Sequence, residues 1–476
     1  MTKRSLLAAV AALALPAPAA AQNAPVQPAG RRAAPPAAQP VDPAVARLRD
    51  AALNDTVAYD ILEGITTEVG QRLAATEAEA RARTWAVAKL RSLGFRNVHI
   101  ETYRMPVWLR GQETAEVVSP FPQRLSLVAL GNSGATPEAG VTAPVAVFRT
   151  FGELQAAPAG SLTGKIAYIG NAMEPAQDGS SYGAFGAARF VGPALAASKG
   201  AVAVVIRSVG TDAHRNPHTG GTNWPTGVQP IPAAALSVSD ALLLERMAAR
   251  GRPITLHLTL TPHFAGEGES GNVVAEVPGS DPAAGIVLIG GHLDSWDLGQ
   301  GAIDDGAGIA ITTAAAKHLL DGPRPRRTIR VVWFGAEEPG GFGGREYARV
   351  HGAERHATAQ ESDFGADRVW RFEVNLPAGA SVVTDRLQSA LAPLGITRGR
   401  DPAGDGTDVG PTIALGVGSV DLNQDGTRYF DTHHTPDDTL ERIDPAQLRQ
   451  NVAAWTTMLA IVANAPEEIG PVPHRN

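Results

Sequence analysis

Residues 285–311 read GIVLIGGHLDSWDLGQGAIDDGAGIAI, and this stretch decides the fold. It begins as a strand over 285–289, continues through a Gly-rich segment with several ionisable residues, and enters a helix predicted over 306–320. The next strand, Thr328–Phe334, is apolar almost without interruption, which is typical of a parallel sheet covered by helices on both faces. The alternation of strands and helices from residue 271 onward therefore predicts an α/β layer architecture.

Histidines and carboxylates cluster on segments that follow the predicted strands. GGHLDSWD comes after residue 289, GAEEPGG comes after Phe334, and farther on come ESD (361–363) and HHTPDDT (433–439). The glycines supply the backbone freedom that such loops need. Because ligands of open α/β sheets bind outside the carboxyl ends of the strands, we expect the four clusters to meet in one site.

The residue types in these clusters are those that bind zinc. Zinc takes imidazole nitrogen and carboxylate oxygen, and a two-metal site needs a carboxylate that bridges the ions. The chain has no cysteine, so any metal must be held by His, Asp and Glu. Two imidazoles and three carboxylates can supply the site: His292, Asp304, Glu338, Asp363 and His434.

Two further carboxylates have predicted catalytic roles beside these ligands. Glu337 precedes Glu338, and neighbouring residues of an extended chain face opposite ways, so Glu337 is free to take a proton from metal-activated water. Asp294 lies two residues after His292. We expect it to accept the second N–H of that imidazole and so to fix the ring.

Residues 121–270 differ from the rest of the chain. They are dense in Gly, Ala and Pro, contain several short β-like runs and carry few charged residues. We find no acid–base or metal cluster there and assign no role to His214, His218 or His263. The stretch therefore predicts a separate binding or covering module.

The N-terminus is typical of an export signal. Lys3 and Arg4 precede an apolar run over 6–15 and small residues at 19–21, which predicts a signal peptide over 1–21. Residues 22–44 are rich in Pro and Ala and predict a disordered linker. No later segment is apolar for long enough to span a bilayer. We expect export, either to a periplasm or to the medium, and no membrane attachment after cleavage.

The composition and charge limit which classes of binding partner are expected. The chain has 476 residues, 44% of them hydrophobic, which suffices for a large core and for more than one domain. Its formal net charge is −7, and it contains no run of Lys and Arg that would neutralise phosphates. Nucleic acid is therefore not an expected partner.

Taken in order, HLDSWD, the Asp304-Asp305-Gly306 step, AEEPGG, ESD and HHTPDDT resemble metallopeptidase family M28, the co-catalytic zinc exopeptidases. Within the family, GHLDSWDLGQGAIDDG is most similar to the plasma glutamate carboxypeptidase (carboxypeptidase Q)-like branch. The resemblance implies the zinc-exopeptidase fold, a mixed, mainly parallel sheet sandwiched by helices, with an inserted β-rich protease-associated (PA) domain.

The resemblance implies two Zn²⁺ per chain and a role for each ligand. His292 and Asp363 would hold one ion, Glu338 and His434 would hold the other, and Asp304 would bridge them. Glu337 would be the general base and then the acid that protonates the leaving amine.

Substrate-binding residues are implied less directly. His434 rather than His433 is the expected ligand, because the family pattern places the ligand directly before the HT-x-x-DT tail. His433 would then contact the developing oxyanion. The Gly406-Thr407-Asp408 step resembles a pocket-lining loop, so Asp408 would meet a substrate ammonium, and a structural turn is the alternative.

The resemblance also divides the chain. It implies an M28 catalytic domain over 45–120 and 271–466, with the PA domain inserted over 121–270. The inserted domain would cover part of the cleft and restrict access to short peptides, the alternative being a spacer. Family members tend to dimerise, so a homodimer is expected, although no interface is visible in the sequence.

The expected function is a zinc-dependent exopeptidase that hydrolyses dipeptides or short peptides with free termini. The sequence leaves dipeptidase, aminopeptidase and carboxypeptidase action open. Three alternatives also remain open: an amidohydrolase of acylated amino acids, a one-zinc enzyme similar to glutaminyl cyclases, and a PA/M28 binding protein without catalysis.

Overall fold

The computed structural model describes residues 40–473 of the chain. The predicted signal peptide, 1–21, and residues 22–39 of the predicted linker lie outside the described residues. The first helix begins at Pro43, inside the segment assigned to the linker. It begins there because the Asp42 carboxylate accepts the N–H of Ala44 and a proline occupies the first helical position.

Helices surround the core of the described chain. None of those between residues 40 and 473 is long and apolar enough to cross a membrane. In chain order they are α1 (Pro43–Ala52), α2 (Val57–Gly64), α3 (Glu77–Ser92), α4 (Phe151–Ala156), α5 (Ser180–Phe190), α6 (Gly192–Ser198), α7 (Val238–Ala248), α8 (Ala307–Leu320), α9 (Phe342–His351), α10 (Ser381–Leu391), α11 (Gly410–Ile413) and α12 (Pro445–Val462).

The strands of residues 40–473 form two large sheets and one small sheet. In chain order they are β1 (Arg96–Leu109), β2 (Glu113–Ser119), β3 (Gln123–Leu125), β4 (Leu127–Ala129), β5 (Val141–Phe148), β6 (Ile166–Ile169), β7 (Ala203–Arg207), β8 (Ala233–Leu236), β9 (Thr255–Leu260), β10 (His263–Val277), β11 (Ile286–His292), β12 (Thr328–Phe334), β13 (His356–Glu361), β14 (Val369–Asn375), β15 (Thr397–Arg398) and β16 (Ser419–Gln424).

The central sheet has the order β1-β10-β12-β11-β13. Strand β11 pairs in parallel with both β12 and β13, whereas β10 runs antiparallel to both β1 and β12. Helix α8 and α12 pack on one face, and α9 and α11 pack on the other around Tyr347 and Ile413. The prediction of a mixed α/β sheet sandwiched by helices is confirmed.

Helix α8 is buried along nearly its whole length, because its sequence, AGIAITTAAAKHLL, has no charged face before Lys317. Its small residues let it lie close to the strand ends. A Cβ built on Gly308 would lie only 1.8 Å from the carbonyl oxygen of Ser362 and 2.4 Å from Asp305 Oδ1. This glycine therefore sets the distance between α8 and the loop that follows β13.

An eight-stranded sheet with the order β3-β2-β9-β5-β6-β7-β8-β4 forms the inserted module. Its strands span 113–260, so its limits differ from the expected 121–270. At the first limit, Pro120 lies in the turn between β2 and β3 and does not mark the entry to the module. At the second, β10 already pairs with β1 from His263 onward, in register with Leu109.

We predict that Gly308→Ala destabilises the protein, because the added methyl group would meet a carbonyl oxygen that cannot move freely. Overpacking of this kind costs about 3 kcal/mol. Thermal and denaturant unfolding would measure the loss. The control is Gly183→Ala, at an exposed position of α5 where a Cβ meets nothing within 4 Å. Equal stability of the two variants would contradict the close approach of α8.

Candidate metal centre

The parallel strand ends bring three of the clusters together. His292 is the last residue of β11 and pairs with Phe334 at the end of β12, two residues before the turn that carries Glu337 and Glu338. Strand β13 lies on the other side of β11 and leads directly to Asp363. The predicted site residues therefore lie together at the carboxyl ends of these strands, as expected from the strand order.

Asp304 lies at the centre of the cluster. Its Oδ1 lies 2.9 Å from His292 Nε2, and its Oδ2 lies 3.0 Å from His434 Nε2. The carboxylate is buried, with 5% of the side chain exposed. Each of its two oxygens thus faces a different imidazole, which is the arrangement required of a carboxylate that bridges two cations.

The remaining predicted ligands complete the two sides of Asp304. On one side, His292 Nε2 lies 3.6 Å from Asp363 Oδ1. On the other side, His434 Nε2 lies 3.0 Å from Glu338 Oε2. The structure thus brings all five predicted metal ligands together.

His433 lies beside the cluster, and its ring stacks on that of His434 with centroids 3.5 Å apart. Its Nε2 lies 3.4 Å from Asp304 Oδ2, and its Nδ1 is buried without a hydrogen-bond partner. Burial and the neighbouring His434 hold the pKa of His433 well below its usual value. His433 is therefore a neutral ring at the cluster, with fewer carboxylate contacts than His434.

Other buried aspartates hold the main chain of the metal-binding loops. Asp305 accepts N–H groups of His292 and Gly308. Asp438 accepts N–H groups of Ala302 and Ile303 at 2.8 and 2.7 Å, which ties the HHTPDDT segment to the loop of Asp304. These carboxylates thus hold the loops in position through hydrogen bonds to main-chain amides.

Asp294 also belongs to this positioning group, and its partners differ from the prediction. His292 Nδ1 donates to the main-chain carbonyl of Asp294 at 2.9 Å, and the carboxylate Oδ1 lies farther away, at 3.7 Å. The carboxylate instead accepts the N–H groups of Glu337 and Glu338. The reason is the bend of the chain after β11, which presents the carbonyl to the ring and turns the side chain toward the next loop.

Burial dominates the acid–base behaviour of the two glutamates. It raises the pKa of Glu337 to about 7 and that of Glu338 well above its usual value. Asp304 differs: burial opposes its ionisation, but the hydrogen bond from His292 and the imidazole of His434 beside it hold its pKa well below the usual range. Glu337 therefore has the proton affinity expected of a general base that works near neutral pH.

The donor set fits divalent metal ions. Asp304 Oδ2 and Glu338 Oε1 are buried without a hydrogen-bond partner, although most buried carboxylate oxygens are satisfied. Three sets of ligand atoms each lie within 4.8 Å of one another, and these are His292/Asp304/Glu338, Asp304/His433/His434 and His292/Asp305/Asp363. Imidazole and carboxylate ligands at such spacing are those of zinc and related ions.

A cavity of about 530 Å³ opens on the cluster. Glu337 and Glu338 line it from the catalytic sheet, and Tyr182, Arg189 and Phe190 line it from α5 of the inserted module. Asp408 is buried, with 1% exposed, and its N–H donates to Glu361. The cavity wall is formed by its neighbours Gly406 and Thr407, so Asp408 is not presented to a ligand there.

The inserted module also braces the metal-binding loops, which the sequence did not reveal. The sequence predicts no role for His218. In the structure its Nδ1 donates to the main-chain carbonyl of His433 at 2.7 Å, and its Nε2 lies 2.5 Å from Asp212 Oδ2. Arg110 at the module's entry pairs with Asp297 in the loop after β11. No periodic pattern of residues predicts these contacts, because most of them join residues that are far apart in the chain.

Comparison with known proteins agrees with this geometry. Residues 272–459 match the model of peptidase family M28. Carboxypeptidase Q of Bos taurus is 36% identical over 412 residues, 86% of each chain. The crystal structure of a peptidase M28 precursor from Shewanella amazonensis SB2B superposes with a TM-score of 0.88 at 48% identity, over 91% of this chain and 98% of that one.

The fold is shared more widely. A zinc aminopeptidase from Bacillus subtilis superposes with a TM-score of 0.60 at 21% identity, over 87% of this chain and 97% of that one. The fold and the buried cluster, taken with these relatives, define a metallo-exopeptidase. The chain belongs to peptidase family M28 and lies close to its carboxypeptidase Q branch.

We predict that the two neighbouring histidines respond differently to removal. His434→Ala should lower the metal content by about one ion per chain, because it removes the imidazole that contacts both Asp304 and Glu338. His433→Ala should keep the metal and lower turnover. Elemental analysis and kinetics of both variants would test this, and loss of metal in His433→Ala alone would reverse the assignment.

We also predict that metal removal destabilises the protein. The buried carboxylates repel one another when no cation is bound, and an ion that binds only the folded state adds about 4 kcal/mol at a thousandfold excess over its dissociation constant. The melting temperature should fall after chelation and recover when metal is restored. An unchanged melting temperature in protein shown to be metal-free would contradict a buried metal centre.

Proposed function

We propose that the protein is a zinc-dependent exopeptidase that hydrolyses dipeptides and short peptides through two zinc ions and a glutamate base. The observation that carries the proposal is the division of Asp304 between two imidazoles, with Oδ1 on His292 and Oδ2 on His434. A carboxylate so placed suits two cations better than one. The similarity to carboxypeptidase Q and to a zinc aminopeptidase supports both the metal and the reaction class.

Each ion would be held by residues on one side of Asp304. His292 and Asp363 would bind the first ion, and Glu338 and His434 would bind the second. When bound, the ions would supply Lewis acidity that polarises the substrate carbonyl and lowers the pKa of water. Asp294, Asp305 and Asp438 would keep the loops in place through their hydrogen bonds to main-chain amides.

Glu337 would move the proton. It lines the cavity while its own N–H is held by Asp294, so its carboxylate is free to accept a proton from the attacking water. The same carboxyl group would then protonate the leaving amine. Because it would be both acceptor and donor, its raised pKa suits the task.

The cavity supports a small substrate. Its volume of about 530 Å³ lies within the range of pockets for small ligands, and α5 of the inserted module lies over it. Tyr182 stacks on Phe430 with ring centroids 4.9 Å apart, which fixes this cover above the metal loop. We propose that the module acts as a PA domain that admits short peptides and excludes folded chains.

Two of the alternatives concern the metal and the substrate. A one-zinc enzyme similar to glutaminyl cyclases would leave about half of the predicted ligands with no metal ion to bind. One zinc per chain in elemental analysis would favour this alternative. An amidohydrolase of acylated amino acids would use the same chemistry, so hydrolysis of N-acyl amino acids in preference to dipeptides would favour that reading.

Export is part of the proposal and rests on the sequence of residues 1–21. Cleavage before Gln22 would release the chain into a periplasm or the medium. The homodimer expected from the family resemblance also stays a proposal.

We predict that Glu337→Gln lowers turnover of a dipeptide by roughly 10²- to 10⁴-fold, the usual contribution of a general base. Two zinc ions per chain should remain, because Glu337 is not a ligand. Dipeptide hydrolysis and elemental analysis of the same preparation would test this.

The matched control is Glu346→Gln, an equal change on nearby α9 at a residue paired only with Arg349. It should leave both activity and metal content unaltered. Full activity in Glu337→Gln would remove this residue from the reaction, and no bound metal in the natural chain would overturn the proposed function.

A further inference from the structure

Arg189 is a buried cation in the wall of the metal cavity. It lies near the end of α5, is only 2% exposed and faces the same cavity as Glu337 and Glu338. Its guanidinium carbon lies 4.5 Å from the ring centroid of Phe190 and 5.2 Å from that of Tyr182. The inserted module therefore contributes a positive charge to a site whose other ionisable groups are mainly acidic.

The hydrogen bonds of Arg189 are incomplete. Its Nη2 donates to the Tyr182 hydroxyl and its Nη1 to the carbonyl of Thr219, both neutral acceptors, whereas its Nε is buried without a partner. No carboxylate of residues 40–473 forms an ion pair with it. Arg72 and Arg327 are equally buried, yet each donates from all three guanidinium nitrogens.

An unpaired buried guanidinium is costly, and its fork of donors matches the two oxygens of a carboxylate. Packing against two aromatic rings leaves the planar group stacked and oriented, so that little freedom is lost when an anion binds. The incomplete set of partners thus points to an anion of the substrate as the missing acceptor.

Arg189 lies beside a predicted metal ligand, and the proposed substrate class indicates which anion it would bind. The carbonyl oxygen of Thr219 accepts from Arg189 Nη1 and also lies 3.3 Å from His434 Nδ1, so one oxygen separates the guanidinium from the imidazole of His434. The anion that every short peptide with a free carboxyl end carries is its terminal α-carboxylate, and in a dipeptide this group belongs to the residue beyond the scissile bond.

We propose that Arg189 binds the free α-carboxylate of the residue on the leaving side of the scissile bond. The enzyme would then act on substrates that end one residue beyond the cleaved bond and release a single free amino acid. This inference rests on the proposed function and deepens it, because it chooses the carboxyl terminus as the end that the site recognises. It also gives the inserted module a direct part in substrate binding.

The first test compares a dipeptide with its C-terminal amide, which keeps the shape and removes the charge. The natural chain should prefer the free acid by about 10- to 100-fold in kcat/KM, mainly through KM, as expected for hydrogen bonds to a charged group. Arg189→Gln should reduce this preference toward one, and Arg189→Lys should keep part of it. Arg215→Gln, on the surface of the same module and paired with Asp240, is the matched control.

The second test measures binding without turnover. In the Glu337→Gln background, calorimetry should detect the acid more tightly bound than the amide, and adding Arg189→Gln should abolish the difference. Melting temperature and metal content establish that each variant is folded and loaded. If Arg189→Gln does not fold, the proposal is tested instead by the ratio of kcat/KM for the acid to kcat/KM for the amide, measured for the natural chain and for Arg189→Lys.

The outcomes separate the inference from the proposed function. Equal hydrolysis of acid and amide by the natural chain would overturn the role of Arg189 and leave the exopeptidase intact. Hydrolysis of neither would overturn the proposed function, and the binding comparison would then decide Arg189 alone. Preference for the acid that persists in Arg189→Gln would also overturn the inference.

Discussion

The structure depends on the gathering of buried carboxylates around Asp304. Like charges at this spacing repel strongly in a protein interior, and each must be neutralised or protonated. The chain stabilises one group of them with its own amides: Asp294, Asp305 and Asp438 each accept two main-chain N–H groups. Asp304 and Glu338 keep an oxygen without such a partner. The hydrogen bonds thus sort the carboxylates into those that hold the loops and those that are available to cations.

This sorting explains why the site requires this fold. Asp294 connects the loop after β11 to the loop after β12, and Asp438 connects the HHTPDDT segment to the loop of Asp304. Asp305 ties that same loop to the end of β11 and the start of α8. The parallel part of the central sheet supplies the starting geometry, because β11 pairs in parallel with β12 and β13 and all three strands end at the same edge. Helix α8 approaches this edge closely only because Gly308 has no side chain. A shift in any one loop would therefore disturb the others.

The sequence predicts the structure correctly where a local pattern of residues determines a strand or a helix. The strand predicted over 285–289, which the structure extends to 286–292, the helix after Gly306 and the strand Thr328–Phe334 follow from apolar runs and their periods. The clusters beside them meet as the order of strands predicts. The N-cap of α3 is a feature of the same local kind, since Thr76 accepts the N–H of Glu79 as in a capping box. These features need only a few neighbouring residues.

Features formed by contacts between distant segments could not be predicted from the sequence. The limit of the module near Leu109 and His263 depends on the pairing of β1 with β10, whose partners are separated by more than a hundred residues of intervening chain. The change of composition near residue 120 marks only a turn. The main-chain partner of His292 depends on a bend that no residue type specifies. His218 and Arg189 looked unremarkable in a stretch of low charge because their partners come from elsewhere in the fold.

The inserted module is therefore more than a cover. Its segment around Thr219 lies against the metal loop: the Thr219 carbonyl faces His434 Nδ1, and His218 holds the carbonyl of His433. The same Thr219 carbonyl accepts from Arg189. The orientation of the His434 ring and that of the Arg189 guanidinium thus depend on one shared oxygen atom. Any movement of the module away from the cleft would therefore alter both together.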